Sequence, residues 1–415
     1  MPPFDPHWAR MQFPALTQEH NGQPLIFFDG PGGTQVPHQV IEAMSDYLIR
    51  SNANTHGAFV TSARTDEVIE AAHKAMADLL GCDADEVAFG PNMTTLTFAL
   101  SRSIGREWHA GDEIVVTRLD HDANVAPWQA LEEQGAIIRF VNVDVEDCTL
   151  DMADFAQQIN ERTRLVAVGY ASNAVGTIND VARVVEMAHQ VGALVFVDAV
   201  HYAPHGPIDV RSLNCDFLAC SPYKFFAPHM GVLYGKREHL TRLQPYKVRP
   251  ASNDIPDRWE SGTKNHEGLA GVTAAIEYLA ELGRRNSTAA PTTRRDSLRA
   301  AMTTIQEYER ALSERLVAGL RNIPGLNLYG IADPERFDQR TPTASIRVGG
   351  YTPRELATAL GQRGICTWDG HYYALNLTER LGVEECGGMV RIGLVHYNTV
   401  EEIDRLVAAL HELTS

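Results

Sequence analysis

Short, continuous apolar runs alternate with amphipathic segments between residues 87 and 235. Val87-Ala88-Phe89, Glu113 to Thr117, Ile137 to Val143, Leu165 to Gly169 and Ala193 to Val197 each read as a strand. The runs Phe217 to Cys220 and Val232 to Tyr234 add two more. Turns and helical spacing lie between them. Gly90 to Thr95 opens a helix that runs to about Ile104, and another surrounds Trp128. Strands without polar alternation are buried on both faces, so the pattern predicts an α/β fold, a mostly parallel sheet covered by helices.

The flanks differ. Residues 1–24 read as an irregular arm, followed by a short strand at Leu25 to Phe28. Asp29-Gly30-Pro31-Gly32-Gly33 ends that strand as either a tight structural turn or a ligand-lining loop. Val40 to Arg50 has helical spacing, and Val68, Ile69, Ala72, Met76 and Leu79 mark an amphipathic helix that stops at Gly81. Lys247 to Gly268 reads as irregular, Thr273 to Leu282 as helical, and Arg284 to Arg295 as a surface hinge. A long helix over about 297–321 then precedes strands at Leu326 to Tyr329, Ala344 to Val348, Ile365-Cys366 and Val390 to Leu394, with helices from Pro353 and Val400. The expected division is an arm (1–24) packing with the small domain, a large domain (25–290) and a small α+β domain (291–415).

Composition narrows the classes. The 415 residues are 44% hydrophobic and 21% charged, an ordinary globular balance. A net charge of −17 argues against binding nucleic acid or an anionic membrane. The six cysteines are scattered with no CxxC pair, so neither a disulfide framework nor a metal site is expected. No signal-peptide core or membrane span is visible, and the expected setting is the cytoplasm.

The candidate chemistry centres on Ser221-Pro222-Tyr223-Lys224-Phe225-Phe226. Aromatic and apolar neighbours desolvate a lysine, lower its pKa and favour a neutral amine able to form a Schiff base. A lysine snorkelling from a strand end is the plainer alternative. Polar residues recur at the other strand ends: Thr94 and Thr95 at a helix start, His121, Asn173, and Asp198. In an open α/β sheet this edge binds ligands. Pyridoxal phosphate needs this ordered set: a Schiff-base lysine, a carboxylate for the ring nitrogen, a group stacked on the ring, and a helix N-terminus with hydroxyls for the phosphate.

With these residues in place the chain resembles the class V aminotransferase family of fold-type I pyridoxal-phosphate enzymes, on its cysteine desulfurase/selenocysteine lyase branch. The likeness runs from Phe28-Asp29 to the final helix. It is carried by Thr94-Thr95, Asp120-His121-Asp122-Ala123-Asn124, Ser172-Asn173, Asp198-Ala199-Val200-His201, Ser221 to Lys224, Gly262-Thr263 and Arg391. The resemblance implies a large domain with a seven-stranded, mostly parallel sheet and a smaller C-terminal domain. It implies that Lys224 binds the cofactor and moves a proton, that Asp198 pairs with the ring nitrogen and that His121 stacks on the ring. Asn173 and His201 then lie near the ring hydroxyl, with His201 standing where the family often has Gln. Thr94, Thr95, Ser221 and Tyr223 face the phosphate, with Tyr223 in place of a usual His. Thr263 reaches the phosphate of a neighbouring subunit, which implies a homodimer with shared sites. Arg391 clamps the α-carboxylate of an amino-acid substrate, and His56 and Trp368 belong to the substrate side.

The departure lies in Gly364 to Ala374. Desulfurases carry the sulfur-accepting cysteine in this loop; here Tyr373 follows the retained Gly370-His371, and Trp368 replaces a usual arginine. Cys366 lies several residues too early and reads as a core cysteine. The leading expectation is lyase chemistry at the β-carbon (elimination, desulfuration or decarboxylation) without a persulfide cysteine, with Tyr373 as a candidate acid. Aminotransferase or epimerase activity is the alternative, and a pyridoxal-phosphate-binding partner protein without turnover a further one. A nicotinamide oxidoreductase is disfavoured, since no GxGxxG follows the first strand.

Overall fold

The computed structural model describes residues 4–287 and 291–415 of the protein. Its centre is a seven-stranded sheet of β1 (Val87–Gly90), β2 (Glu113–Thr117), β3 (Ile137–Val141), β4 (Thr163–Gly169), β5 (Leu194–Asp198), β6 (Phe217–Cys220) and β7 (Gly231–Gly235). The spatial order is β1-β7-β6-β5-β4-β2-β3. β7 pairs antiparallel with both β1 and β6, while the remaining pairs are parallel. All strands but β7 therefore end on one edge.

Both faces of the sheet are buried, which accounts for the missing polar alternation. Val166 and Val168 join one apolar cluster with Val195, Val197 and Leu218. Leu165 and Ala167 join another on the opposite face with Ile114, Val116 and Phe196. Side chains alternate across a strand, so a central strand with helices on each side needs apolar residues at every position.

A second, four-stranded antiparallel sheet has the order Leu326–Tyr329, Thr343–Val348, Met389–Gly393, Trp368–Gly370. Its core of Ile346, Ile392 and Leu360 is closed by Leu312 and Leu316 of the helix Arg294–Leu320 and by Leu406 and Leu410 of the helix Val400–Thr414. Phe28 donates its amide to Cys366 O at 3.1 Å, and Ile26–Phe27 pairs in parallel with Ile365–Cys366. The start of the chain is thereby fastened beside this sheet.

Several elements differ from the sequence expectation. The arm expected to be irregular contains the helix Pro6–Met11, whose start is capped by Asp5 accepting the amides of His7 at 3.0 Å and Trp8 at 3.2 Å. The helix expected from Thr273 starts earlier and spans His266–Asn286, with Asn265 accepting the Gly268 amide at 2.9 Å. Gly268 and Gly271 argue against a helix by propensity. Packing overrides this at Gly271, where an added Cβ would come within 2.6 Å of Pro228. Of the segment expected as a hinge, 284–286 form the last turn of that helix and Arg294 opens the next. Residues 288–290 of it lie outside the described residues. Trp368–Gly370, expected in a loop, is an edge strand, with Trp368 opposite Arg391. No described helix is long and apolar enough to cross a membrane.

Candidate active site

The common edge of the large sheet opens into a cavity of about 460 Å³. Lys224 reaches it from the turn Pro222–Lys224 that follows β6. Its Nζ donates to the carbonyl of Pro31 and lies 4.6 Å from the centre of the Tyr223 ring. Burial pushes its pKa down to about 7, aided by the Arg391 charge and opposed by Asp198 and Asp29. Near physiological pH the amine is thus neutral in about half of the molecules.

Asp198 ends β5 and also lines the cavity. Its Oδ1 accepts the Val200 amide at 2.9 Å. Burial raises its pKa to about 6, against the pull of that amide and of Lys224. Beside it Asp120 is a cross-strand strut. It accepts the Gly169 amide at 2.7 Å and the Asn124 side chain at 3.1 Å. Burial, with the Asp198 charge second, raises the Asp120 pKa well above the usual carboxylate range.

His121 follows β2. Its Nδ1 accepts the Ala123 amide at 3.0 Å, which places the proton of the neutral ring on Nε2. Burial, then the charges of Lys224 and Arg391, lower its pKa to about 4. His201 holds its Nε2 3.1 Å from Thr341 Oγ1 and 3.2 Å from Thr343 Oγ1. Burial likewise keeps this ring neutral, lowering its pKa well below the usual value.

Arg391 enters from the second sheet. It is only 5% exposed, and its Nη1 donates to Asn173 O at 2.9 Å. Burial lowers its pKa to about 10. Asp29, which the sequence reading did not single out for a role, is a buried carboxylate whose pKa is raised to about 6 by desolvation, while Arg391 and Lys224 act the other way.

The cavity brings together Lys224, Asp198, His121, His201, Asn173, Thr94, Ser221, Tyr223, Arg391, Trp368 and Tyr373 from separate stretches of the chain. Thr95, Thr263 and His56 are not among its lining residues. Thr95 sits one position further into the helix Met93–Gly105, and its amide is donated to Asn92 Oδ1 at 2.8 Å. Thr263 is exposed. His56 is exposed beside Asp66, with 3.3 Å between Nδ1 and Oδ1. Pro31 and Gly32, of the turn read as either structural or ligand-lining, also line the cavity, together with Asp369 and His371. The glycine turn beginning at Gly30 therefore borders the cavity. Gly32 leaves room for the Trp368 indole, which an added Cβ would meet at 2.3 Å.

Pyridoxal phosphate fits this donor set. Asn173 Oδ1 and Arg391 Nε are buried with no hydrogen-bond partner among the described residues. Buried polar groups left unpaired are costly, and here they lie around a cavity that a polar ligand can enter. A neutral-leaning amine, a buried carboxylate and an unpaired guanidinium nitrogen meet the needs of an aldehyde, a pyridine nitrogen and an amino acid's carboxylate respectively.

Comparison with known proteins agrees with this geometry. The family model for aminotransferase class-V matches residues 26–406. A cysteine desulfurase from Pectobacterium atrosepticum is 34% identical over 422 aligned residues, covering 98% of this chain and 97% of that protein. The apo structure of a cysteine desulfurase from Thermococcus onnurineus NA1 superposes with a TM-score of 0.87 at 28% identity, covering 99% of this chain and 98% of that one. An Escherichia coli cysteine desulfurase in an S-sulfonic acid form gives a TM-score of 0.84 at 28% identity, covering 99% of this chain and 100% of that one.

Proposed function

The chain belongs to the class-V aminotransferase family, a family of pyridoxal-phosphate enzymes, and on that premise we propose that it is a desulfurase-like lyase. It cleaves a bond at the β-carbon of an amino acid without passing sulfur to a cysteine. The observation that carries this reading is the make-up of the cavity. Lys224, Asp198 and Arg391 meet there, and no cysteine is among the lining residues.

When bound, pyridoxal phosphate supplies the electron sink for charge released at the substrate's α-carbon. Asp198 is the carboxylate available to the ring nitrogen, His121 the neutral ring to stack on the cofactor, and Thr94, Ser221 and Tyr223 the groups for the phosphate. Thr95 and the Thr263 of a second copy are assigned to the same phosphate through the family likeness, which makes the enzyme a homodimer. Arg391 receives the α-carboxylate, for which its guanidinium fork is suited and its burial removes competing water. The neutral Nζ of Lys224 takes the proton from the α-carbon and holds it for return. At the mouth, Trp368, His371 and Tyr373 screen the β-substituent as it leaves.

The test is a screen of purified holoenzyme with cysteine, cysteine sulfinate, β-chloroalanine and aspartate, with products identified by mass. Release of the β-substituent with no protein persulfide supports the reading. A persulfide on Cys366, lost together with turnover in Cys366→Ser, overturns it. Keto-acid formation with the β-substituent retained selects transamination instead. Covalent cofactor trapped by borohydride in the parent and lost in Lys224→Ala checks the lysine separately.

A further inference from the structure

We propose that Tyr372 is a positioning residue of the carboxylate site, acting through Arg391 to decide how strongly the enzyme discriminates amino acids from plain amines. The inference rests on the reading of Arg391 as the carboxylate clamp.

Three contacts close a triangle. The Arg391 guanidinium lies 4.4 Å from the centre of the Tyr372 ring. Arg391 Nη1 donates to Asn173 O at 2.9 Å. Asn173 Nδ2 donates to Tyr372 O at 2.8 Å. The tyrosine hydroxyl is tied down in turn, donating to Met389 O on the strand that carries Arg391. Arg391 has no carboxylate within ion-pairing distance among the described residues. A buried guanidinium whose nearest opposing carboxylate, Asp29, lies beyond ion-pairing distance needs some other support, and an aromatic face supplies it without using up the fork.

The backbone bears on the same point. Tyr372 and Tyr373 both lie in the left-handed region, at φ of 54° and 59°. Non-glycine residues at such angles are strained by about 1–3 kcal/mol each and persist where the surroundings over-determine them. Here Asn173 and Asp122 do so, the latter donating its amide to Tyr373 O at 2.7 Å. In this conformation the Tyr372 ring lies against the Arg391 guanidinium, while Tyr373 is exposed. Asn173 Oδ1 remains unpartnered beside the cavity, so one side chain borders the cofactor space and braces the carboxylate site.

The experiment compares two probes on the holoenzyme, L-alanine and ethylamine, which share an amine and differ in the carboxylate. Affinity is read from the change in the cofactor's visible absorption. The parent should bind alanine much more tightly than ethylamine. In Tyr372→Leu that preference should shrink about tenfold, the scale of a desolvated cation–π contact. The ethylamine affinity of the same variant is the internal reference for an intact cofactor site. Tyr372→Phe, which keeps the ring and loses the hydroxyl, should restore most of the preference. An unchanged alanine-to-ethylamine ratio in Tyr372→Leu overturns the proposal for Tyr372. A parent enzyme that does not distinguish the two probes overturns the clamp reading of Arg391 instead.

Discussion

Tyr373 stacks on His121, with ring centroids 5.4 Å apart and planes inclined by 20°. Tyr373 is nevertheless 67% exposed. On the proposed reading, the tyrosine that stands in for the cysteine therefore backs the ring assigned to the cofactor. Aromatic pairs contribute about 0.5–1.5 kcal/mol beyond their buried area. Tyr373→Ala should lower turnover about three- to tenfold, and Tyr373→Phe should keep most of it. Steady-state rates of both variants decide the matter. If the two lose activity equally, the phenol acts in the chemistry as an acid and stacking is not its main role.

Lys224 should cost the cofactor-free protein stability. Its pKa in the folded chain is about 7, against an ordinary lysine value of 10.5. Between those values the unfolded chain holds a proton that the folded chain has released, so stability rises with pH across that window. Below it both forms are charged, and the full penalty for a buried charge is present. Lys224→Met should accordingly raise the melting temperature of the apoprotein. The difference should be greatest below pH 7, on the order of a few kcal/mol, and should close as the pH approaches 10.5. Denaturant titrations of both proteins at pH 6.5 and 9.5 measure it. A gap that widens with pH contradicts the burial of Lys224.

What the chain disclosed in advance follows from the range over which each signal acts. Strand ends are local events. A β-run stopping at Asp198, or at the Ser221–Lys224 turn, places those residues on a common edge once a parallel sheet is inferred. Arg391 was legible through the family pattern. The helix at His266–Asn286 was partly hidden, because Gly271 is dictated by Pro228, a neighbour distant in sequence. The Trp368–Gly370 strand was hidden because three residues give no period. Asp120 and Asn173 illustrate the same limit. Their side chains bond Gly169 and Tyr372, partners 49 and 199 positions away, and no spacing rule joins such pairs.

Asp198→Asn isolates charge from shape. The amide fits where the carboxylate stood, but it cannot stabilise positive charge on a ring nitrogen. Removing one preorganised electrostatic contact of this kind costs about 10²–10³ in turnover. We expect that loss while the cofactor remains trapped at Lys224 by borohydride, as read by the mass of the reduced adduct. A variant that retains parental turnover would show that Asp198 does not serve the ring nitrogen.

Cys366 lies on the same segment as Tyr373, and its surroundings oppose a sulfur-transfer route through it. It lies on the two-residue strand beside Ile26–Phe27 rather than among the cavity-lining residues. Burial, then the charge of Asp29, pushes its pKa up to about 11. The thiolate is the nucleophile, and at pH 7 such a thiol is ionised to about one part in 10⁴. Arg391 is also oriented through Asn173 and Tyr372 without any contribution from this cysteine. Cys366→Ser should therefore retain turnover within about twofold on any substrate the enzyme accepts, well inside the effect of a catalytic nucleophile. The parent should carry no alkylatable persulfide after exposure to cysteine, as read by peptide mass. Loss of activity with persulfide present at Cys366 would require this strand to part from Ile26–Phe27 and swing to the cavity.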